Sequence, residues 1–395
     1  MAESFRILTL NNIAAVGLQR FPDERYQIGA KIESPDAIMV RSADMHSMTI
    51  PEGVKAIGRA GAGTNNIPVA QLSKRGVPVF NAPGANANAV KELVLASLLI
   101  AARSLVPAVR FVESLRADDS DLDKVVEDGK KQFAGVELPR HTLGIIGLGK
   151  IGSLVADAAI KLGMNVLGYD PEITVEAAWS LPSQVRKAHS IEELLKAADF
   201  VTLHVPLLPV TRNLINAERV KVMKKGAILL NFSRDGIVDN EAVLAGLEAK
   251  QLRSYVTDFP EGRLIGHKGV VAFPHLGAST REAEDNCAVM VADQLRDYLE
   301  HGNIANAVNF PDATMARESP YRVGIANANV PNMLGQISTT MALAGLNIHN
   351  MLNKSKGEMA YTLVDVDSRV PQQVIDKLAA ISGVLTVRYL PVDPS

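Results

Sequence analysis

The sequence predicts an α/β protein with two doubly wound, parallel-sheet (Rossmann or flavodoxin-like) domains and a C-terminal ferredoxin-like module of order βαββαβ. Apolar, strand-like runs alternate with helical segments near the N-terminus, and a more regular alternation begins at Thr142. The tail from Tyr321 contains four strand-like and two helical segments. Alternating strands and helices imply a parallel sheet covered on both faces, whereas the tail has the ferredoxin-like pattern.

The first two sheets are predicted from short apolar runs. Those of the first sheet lie at residues 6–10, 36–42, 54–61 and 77–83. A helix is predicted over residues 87–116, and the polar stretch that follows, to residue 133, is expected on the surface. The six predicted strands of the second sheet lie at residues 142–149, 165–170, 199–205, 226–232, 253–259 and 270–275. A long helix at residues 281–300 is expected to return to the first domain.

Composition excludes several classes of function. A net charge of -2 gives no broad field to hold nucleic acid or an anionic membrane, so neither partner is expected. The single cysteine, Cys287, predicts a buried apolar role with neither a disulfide nor a metal site. The N-terminal residues lack a signal-peptide pattern, and the longest apolar run, residues 93–102, is too short to span a bilayer. A cytoplasmic protein is therefore expected.

A dinucleotide site is predicted at Gly147-x-Gly149-x-x-Gly152, which follows an apolar strand and opens a helix. The first glycine permits the tight turn, the second lets the backbone approach a pyrophosphate, and the third lets the helix pack closely. Asp170 ends the next strand, where a carboxylate accepts ribose hydroxyls and repels the extra phosphate of NADP. NAD is therefore the expected cofactor. In contrast, Gly61 and Gly63 are predicted to be turn glycines.

Polar residues follow the later apolar runs at the edge where doubly wound sheets bind ligands. They are His204, Arg234, Asp258 and His275. Singly, such an arginine or histidine is more often a surface or structural residue, but four in order at strand ends favour catalysis.

These residues resemble the D-2-hydroxyacid dehydrogenase family. GLGKIG, HVPLLPVTRNLI, NFSRDGIVD and PHLGAST resemble its signature segments in the family's order, and VRSADMH, AGAGTNNIP and NAPGANANAVKEL resemble its substrate domain. The tail resembles an ACT regulatory domain. The resemblance implies a substrate-binding domain at residues 1–89 and 283–310, an NAD-binding domain at 90–282 and an ACT domain at 321–395.

The resemblance also implies catalytic roles. Arg234 would bind the substrate carboxylate, and His275 would take the hydroxyl proton while hydride leaves for the nicotinamide. The family's glutamate partner of that histidine falls by spacing on Arg263, so Glu261 is the predicted carboxylate. The cofactor would contact Gly147, Gly149, Lys150, Ile151, Gly152, Asp170, His204, Val205, Pro206, Ser233, Asp258 and Gly277. His204 is expected to shape the cofactor wall rather than to transfer protons.

Arg41, Ser42 and Asn88, with Arg234 and His275, are the predicted substrate-binding residues. Arg41 and Ser42 follow a strand of the first domain and could bind a phosphate or carboxylate. Asn86 and Asn88 lie at a glycine-rich turn entering a helix, where a helix N-cap is an equally good explanation for either residue. With the tail, these residues imply the phosphorylated branch of the family, which oxidises 3-phospho-D-glycerate in the first step of serine biosynthesis.

Three alternatives stay open: a general 2-hydroxyacid dehydrogenase acting as a glyoxylate or hydroxypyruvate reductase, an NAD-sensing corepressor-like protein, and an amino-acid sensor. The resemblance implies L-serine as an effector at Asn327, Asn329 and Asn347, although an ACT module could serve assembly alone. Asn332 replaces a family glycine, so the loop is expected to differ. The resemblance implies a homodimer through the nucleotide-binding domains. Pairing of the terminal module, which is too short to bury much surface alone, could make a homotetramer.

Overall fold

The computed structural model describes residues 4–116 and 121–392. The predictions that concern residues 1–3, 117–120 and 393–395 lie outside this part of the chain. The chain divides into two compact units, Ala87–Thr280 and a second unit of Met1–Asn86 with Arg281–Ser395. The predicted fold class is confirmed, with two parallel sheets and a small antiparallel sheet.

The unit Ala87–Thr280 is built on a seven-stranded parallel sheet of order β12-β11-β10-β9-β6-β7-β8. Its strands are β6 Thr142–Ile146, β7 Asn165–Tyr169, β8 Arg186–Lys187, β9 Phe200–Leu203, β10 Ala227–Asn231, β11 Leu252–Thr257 and β12 Val270–Ala272. β9 and β10 are buried throughout, as expected where helices cover both faces. The prediction of six strands was wrong, because β8 is an exposed pair of basic residues with no apolar signal.

Helices flank this sheet. They are α3 Ala87–Ala102, α4 Leu105–Glu113, α5 Leu122–Gly129, α6 Lys150–Lys161, α7 Val175–Trp179, α8 Ile191–Ala197, α9 Ala217–Val222 and α10 Asn240–Glu248, with a 3-10 turn at Lys130–Phe133. The predicted helix over residues 87–116 is broken in the structure, because Ser104 adopts a left-handed conformation with φ of 51°. In the described residues no single helix is long and apolar enough to cross a membrane. α3 and α4 pass that test only as a pair bent by 66°.

The second unit contains a five-stranded parallel sheet of order β2-β1-β3-β4-β5. Its strands are β1 Phe5–Leu10, β2 Tyr26–Gly29, β3 Ala37–Val40, β4 Ala56–Arg59 and β5 Val79–Phe80. The prediction of four strands missed β2, a short edge strand. The helices α1 Ala15–Leu18, α2 Val69–Lys74 and α11 Arg281–His301 accompany this sheet, and α11 packs on α1 and β4. Cys287 on α11 is buried in the apolar core, as predicted.

The same unit carries the antiparallel sheet β14-β15-β13-β16, which has the ferredoxin-like order. Its elements are β13 Tyr321–Ala328, α12 Met333–Leu343, β14 Ile348–Lys356, β15 Met359–Val366, α13 Gln372–Ala379 and β16 Val384–Pro391. α12 and α13 share a core with one face of this sheet. Tyr361 and Leu363 join the core around α11, and Arg388 donates to the carbonyl oxygens of Tyr298 and Leu299 at 2.9 Å. The module is therefore packed against α11.

Candidate active site

The glycine turn connects β6 to α6. Gly147 has φ of +93°, and a Cβ there would lie 2.5 Å from the carbonyl oxygen of His204. A Cβ on Gly152 would lie 2.0 Å from the carbonyl oxygen of Gly147, so α6 reaches the turn only because residue 152 is glycine. A Cβ on Gly149 would meet no protein atom within 4 Å. Two glycines therefore serve close packing, and the third borders open space.

The first turn of α6 suits an anion. No side chain caps its free N–H groups at Gly149, and no acidic residue lies in that turn. The N–H groups of Lys150 and Ile151 therefore add to the positive end of the helix dipole. Asp170 supports the turn, because its carboxylate accepts from the Leu148 N–H at 2.8 Å. Lone pairs remain on this carboxylate for ribose hydroxyls.

His204 follows β9 and forms part of the wall next to the turn. Its Nε2 lies 3.0 Å from Thr202 Oγ1, and its Nδ1 is buried without a partner among the described residues. Burial lowers the pKa of His204 to about 3. The ring is therefore neutral near pH 7 and a poor proton acceptor there. Ser233 Oγ donates to the Val205 carbonyl oxygen at 2.7 Å. The next carbonyl oxygen, that of Pro206, accepts from Thr211 Oγ1.

Arg234 follows β10 on an exposed turn that buried side chains hold. Asn231 Nδ2 donates to the Arg234 carbonyl oxygen at 3.1 Å, and Asn231 Oδ1 accepts from the Ser233 N–H at 3.2 Å. Tyr255 bonds Asn231 and Thr257, and burial raises the pKa of Tyr255 to about 12. Sequence reasoning missed Asn231 and Tyr255, because both stand in apolar strands that indicate only core.

Asp258 and His275 lie at the ends of β11 and β12. Asp258 is 1% exposed; its Oδ2 accepts from the Gly277 N–H at 3.2 Å, and its Oδ1 has no partner among the described residues. Burial raises the pKa of Asp258, while the charges of His275 and Arg234 act in the opposite direction. His275 packs edge-on against Phe259, with ring centroids 5.0 Å apart. The structure thus gathers Arg234, Asp258 and His275 at the carboxyl edge of one sheet.

Glu261 is held elsewhere on its loop. Its Oε2 accepts from Asn240 Nδ2 at 2.6 Å, and its Oε1 lies 3.3 Å from Arg263 Nε. Arg263 also bonds Glu241. Within residues 4–116 and 121–392, no hydrogen bond or ion pair joins Glu261 to His275. The structure therefore does not bring the predicted pair together, and Asp258 is the carboxylate whose charge interacts with His275.

In the other unit, two arginines lie at the carboxyl edge of the five-stranded sheet. Arg41 follows β3, and its Nη2 donates to Glu284 Oε1 at 2.5 Å. Arg59 ends β4, and its Nε donates to the Arg41 carbonyl oxygen at 3.0 Å. Ser42 donates its N–H to Asn11 Oδ1 at 3.2 Å. The sequence singled out Arg41 but not Arg59 or Glu284, although the strand-end rule applies equally to Arg59. The role of Arg41 in substrate binding stays a prediction.

Asn88, the remaining predicted substrate residue, lies in the first turn of α3. Its Nδ2 donates to Glu92 Oε1 at 2.9 Å, one helical turn along the same exposed face. This bond accounts for one of its two donor hydrogens, and the amide oxygen stays available to a ligand. Its role in substrate binding stays a prediction.

The C-terminal module has a pocket of about 220 Å³ at the start of α12, whose lining includes Asn327, Asn329, Asn332 and Asn353. Asn327 is 1% exposed, and its Oδ1 has no partner among the described residues. Asn329 Nδ2 donates to the Gly357 carbonyl at 3.1 Å. Asn332 has φ of 63°, a conformation that asparagine tolerates in place of glycine. Asn347 does not line this pocket, and its N–H bonds Asp367.

Comparison with known proteins decides the family. The model described as "D-isomer specific 2-hydroxyacid dehydrogenase, NAD binding domain" matches residues 95–277. The D-3-phosphoglycerate dehydrogenase of Haemophilus influenzae is 33% identical over 347 residues, which cover 85% of this chain and 81% of that protein. The chain belongs to the D-isomer-specific 2-hydroxyacid dehydrogenase family. Its match to an NAD-binding domain also confirms the predicted cofactor.

Two further members of the family are similar. The D-3-phosphoglycerate dehydrogenase of Methanocaldococcus jannaschii is 35% identical over 351 residues, which cover 86% of this chain and 63% of that protein. The chain thus spans less than two thirds of the length of this relative. A structure of NAD+-bound 3-phosphoglycerate dehydrogenase from Entamoeba histolytica aligns with a TM-score of 0.59 at 25% identity, covering 77% of this chain and 98% of that one.

The residues present fit NAD. The space beside Gly149, the uncapped start of α6 and the carboxylate of Asp170 suit the pyrophosphate and a ribose. The unpartnered Oδ1 of Asp258 offers a buried acceptor for an amide donor at the other end of the dinucleotide. Among the described residues, no cluster of three or more histidine, cysteine or carboxylate side chains is arranged to hold a metal ion.

Substitution of the two glycines should separate packing from cofactor contact. We expect Gly149→Ala to keep the wild-type melting temperature but to weaken NADH binding by about tenfold or more, because its methyl group would occupy the space beside the phosphates. Gly152→Ala should lower the melting temperature and also weaken NADH binding, since its Cβ collides with Gly147. Energy transfer to NADH from Trp179, the only tryptophan, measures binding. Wild-type NADH affinity in Gly149→Ala would contradict this assignment.

The lowered pKa of His204 should make the stability of the folded chain depend on pH. Its pKa is about 3 in the folded chain and about 6.5 unfolded, so between these values the unfolded chain binds the extra proton. The stabilisation is fully present above pH 6.5 and decreases as the pH falls towards 3. The free energy of unfolding is measured with urea at a series of pH values. We expect its slope against pH between 3 and 6.5 to be smaller in His204→Gln, by the equivalent of up to about one bound proton. Equal slopes for the variant and the wild type would show that the ring is not the source.

Proposed function

We propose that this chain is an NAD-dependent dehydrogenase that oxidises 3-phospho-D-glycerate to 3-phosphooxypyruvate, the first step of phosphorylated L-serine biosynthesis. The observation that carries the proposal is the grouping of Arg234, Asp258 and His275 at the strand edge that also bears the glycine turn. The names of the bacterial and archaeal relatives support the choice of substrate. The arginines of the other unit, Arg41 and Arg59, supply the chemistry for a phosphate group.

In the proposed reaction, NAD, when bound, accepts the hydride from C2 of the substrate. The guanidinium of Arg234 binds the substrate carboxylate through its planar pair of donors and orients C2. His275 accepts the proton of the C2 hydroxyl as the carbonyl forms. The products are then the 2-keto acid, NADH and a proton on His275, which solvent removes because this side chain is exposed.

The protonated His275 needs a negative partner, and two carboxylates compete for that role. We favour Asp258, because it is buried and its charge interacts with His275, whereas Glu261 is bonded to Asn240 and Arg263. The attraction between the two opposite charges holds the imidazolium in place after the proton is transferred. Glu261, predicted from sequence, would then stabilise the loop.

We propose the domain roles on the same basis. The unit Ala87–Thr280 would be the NAD-binding domain, which the sequence predicts at residues 90–282. The five-stranded sheet with α11 would be the substrate-binding domain, and residues 321–395 would be the ACT module. A second copy would bind at α4, where Leu105, Val109 and Val112 are exposed, so that a dimer or tetramer forms. The cytoplasmic location stays a prediction.

Steady-state NADH absorbance with a substrate panel tests the activity. We expect turnover of 3-phospho-D-glycerate with NAD, and His275→Asn should lower kcat by at least about 100-fold while NADH binding stays within about threefold. Retained turnover in this variant would overturn the role of His275. As the matched pair, Asp258→Asn should lower kcat, because the imidazolium of His275 loses its negative partner, whereas Glu261→Gln should leave kcat unchanged.

The same substrate panel distinguishes the proposed activity from the alternative functions. Turnover of glyoxylate or hydroxypyruvate, without turnover of the phosphorylated acid, would support the general 2-hydroxyacid reductase. NADH binding without turnover of any 2-hydroxy acid would support an NAD-sensing, corepressor-like function. Replacement of NAD by NADP should remove most activity, because Asp170 repels an added phosphate.

A second proposed function is L-serine sensing by the C-terminal module. The pocket at the start of α12 supports it, because the buried Oδ1 of Asn327 and the side chain of Asn329 offer polar partners to an amino acid. The proposed coupling to the arginine site would run through α11, because Arg388 of this module bonds the last turn of α11 and Glu284 in its first turn bonds Arg41. Asn347 would have to be supplied from a second copy.

Calorimetry of the full chain tests the sensor. We expect L-serine to bind and D-serine to bind at least about tenfold more weakly, with Asn329→Ala reducing L-serine affinity by a similar factor. Absence of L-serine heat in a folded, NADH-binding protein would contradict sensing and leave assembly as the function of the module. NADH absorbance with L-serine present then reports whether binding lowers turnover.

A further inference from the structure

We propose that Glu284 is a positioning residue for an anion subsite formed by Arg41 and Arg59, and that its charge sets how tightly this subsite binds a phosphate monoester. This inference rests on the proposed function for the identity of the substrate, but its central observations concern only one unit of the chain. Arg41 and Arg59 leave adjacent parallel strands, β3 and β4, at the same sheet edge. Glu284 reaches this edge from the first turn of α11.

Contacts hold the two arginines in fixed places. Glu284 Oε1 accepts from Arg41 Nη2 at 2.5 Å, and the Arg59 Nε donates to the Arg41 carbonyl oxygen at 3.0 Å. Asn66 Nδ2 donates to the Ala43 carbonyl oxygen at 2.7 Å and so fixes the backbone just beyond Arg41. A Cβ on Gly61 would lie 2.1 Å from Arg59 Nη1, so the guanidinium lies over this glycine. Holding long cationic side chains in this way removes much of the entropy cost of binding.

The charges at this edge favour an anion. Two guanidinium groups and one carboxylate sum to a net charge of +1, and the charges of all three act on the thiol of Cys287 one helical turn below. Arg41 and Glu284 are each 38% exposed as side chains, so a ligand from solvent can reach the pair. A phosphate monoester brings close to two negative charges and three acceptor oxygens. It can bind the donors of both arginines, whereas a neutral hydroxyl cannot displace Glu284.

Glu284 therefore acts in two opposite ways. Its hydrogen bond keeps the Arg41 fork in place before the ligand arrives, which favours binding. Its negative charge competes with the ligand for the same guanidinium, which weakens binding and does so more for an anion than for an uncharged group. A glutamine at this position retains the acceptor and removes the charge, and an alanine removes both. The two variants separate these effects.

Calorimetry of the full chain with inorganic phosphate, with NADH saturating the glycine turn, measures the subsite without turnover. We expect Glu284→Gln to bind phosphate about three- to tenfold more tightly than the wild type, and Glu284→Ala to bind at least about threefold more weakly than Glu284→Gln. Glu282→Gln, which removes an exposed carboxylate from the same helical turn, should match the wild type. Arg41→Ala should abolish this binding.

The kinetic counterpart is the KM for 3-phospho-D-glycerate, which should be lowest in the variant that binds phosphate most tightly. The KM for D-glycerate, which has no phosphate, should not change among the variants. Equal phosphate affinity in the wild type and Glu284→Gln would contradict the role of the charge, and equal affinity in Gln and Ala variants would contradict positioning. Failure of the wild type to oxidise 3-phospho-D-glycerate, with the phosphate series as expected, would refute the proposed substrate and leave the subsite standing. Melting temperatures confirm that each variant is folded.

Discussion

Close backbone packing between the turn after β6 and the end of β9 is the constraint on which the candidate site depends. Only a glycine at 147 permits it, because a Cβ would lie 2.5 Å from the carbonyl oxygen of His204. β6 and β9 are neighbours in the sheet, and the strand order reverses direction between them. A crevice opens at such a point. Asp170, Ser233 and Asp258 follow strands of this sheet and therefore stand at the same edge.

Two candidate ligand sites contain a buried polar atom that has no hydrogen-bond partner among the described residues. An unsatisfied buried acceptor destabilises a folded protein by about 1–3 kcal/mol. Asp258 Oδ1 and Asn327 Oδ1 are two such atoms, and each lies where a ligand is proposed: at the end of β11 and in the pocket beside α12. Either atom can accept a hydrogen bond from a bound ligand. Burial raises the pKa of Asp258 and so disfavours its negative charge, while the charges of His275 and Arg234 act in the opposite direction.

Much of the fold could be predicted from sequence, because apolar runs, glycine turns and strand-end residues are local signals. The missed strands β2 and β8 have little of this signal: β8 is the exposed pair Arg186–Lys187, and β2 is an edge strand of four residues. The catalytic candidates were found by their position after strands. The contact of Glu261 with Asn240 and that of Glu284 with Arg41 join residues 21 and 243 positions apart, so the sequence alone could not assign them.

The most direct test of the central claim follows the hydrogen on C2. The protein is incubated with NAD and 3-phospho-D-glycerate carrying deuterium at C2, and the NADH formed is analysed by mass spectrometry. Direct transfer at this site predicts NADH that retains the deuterium and is one mass unit heavier, with loss of the product in His275→Asn. Unlabelled NADH, or no reduction of NAD in a protein that binds it, would contradict the account.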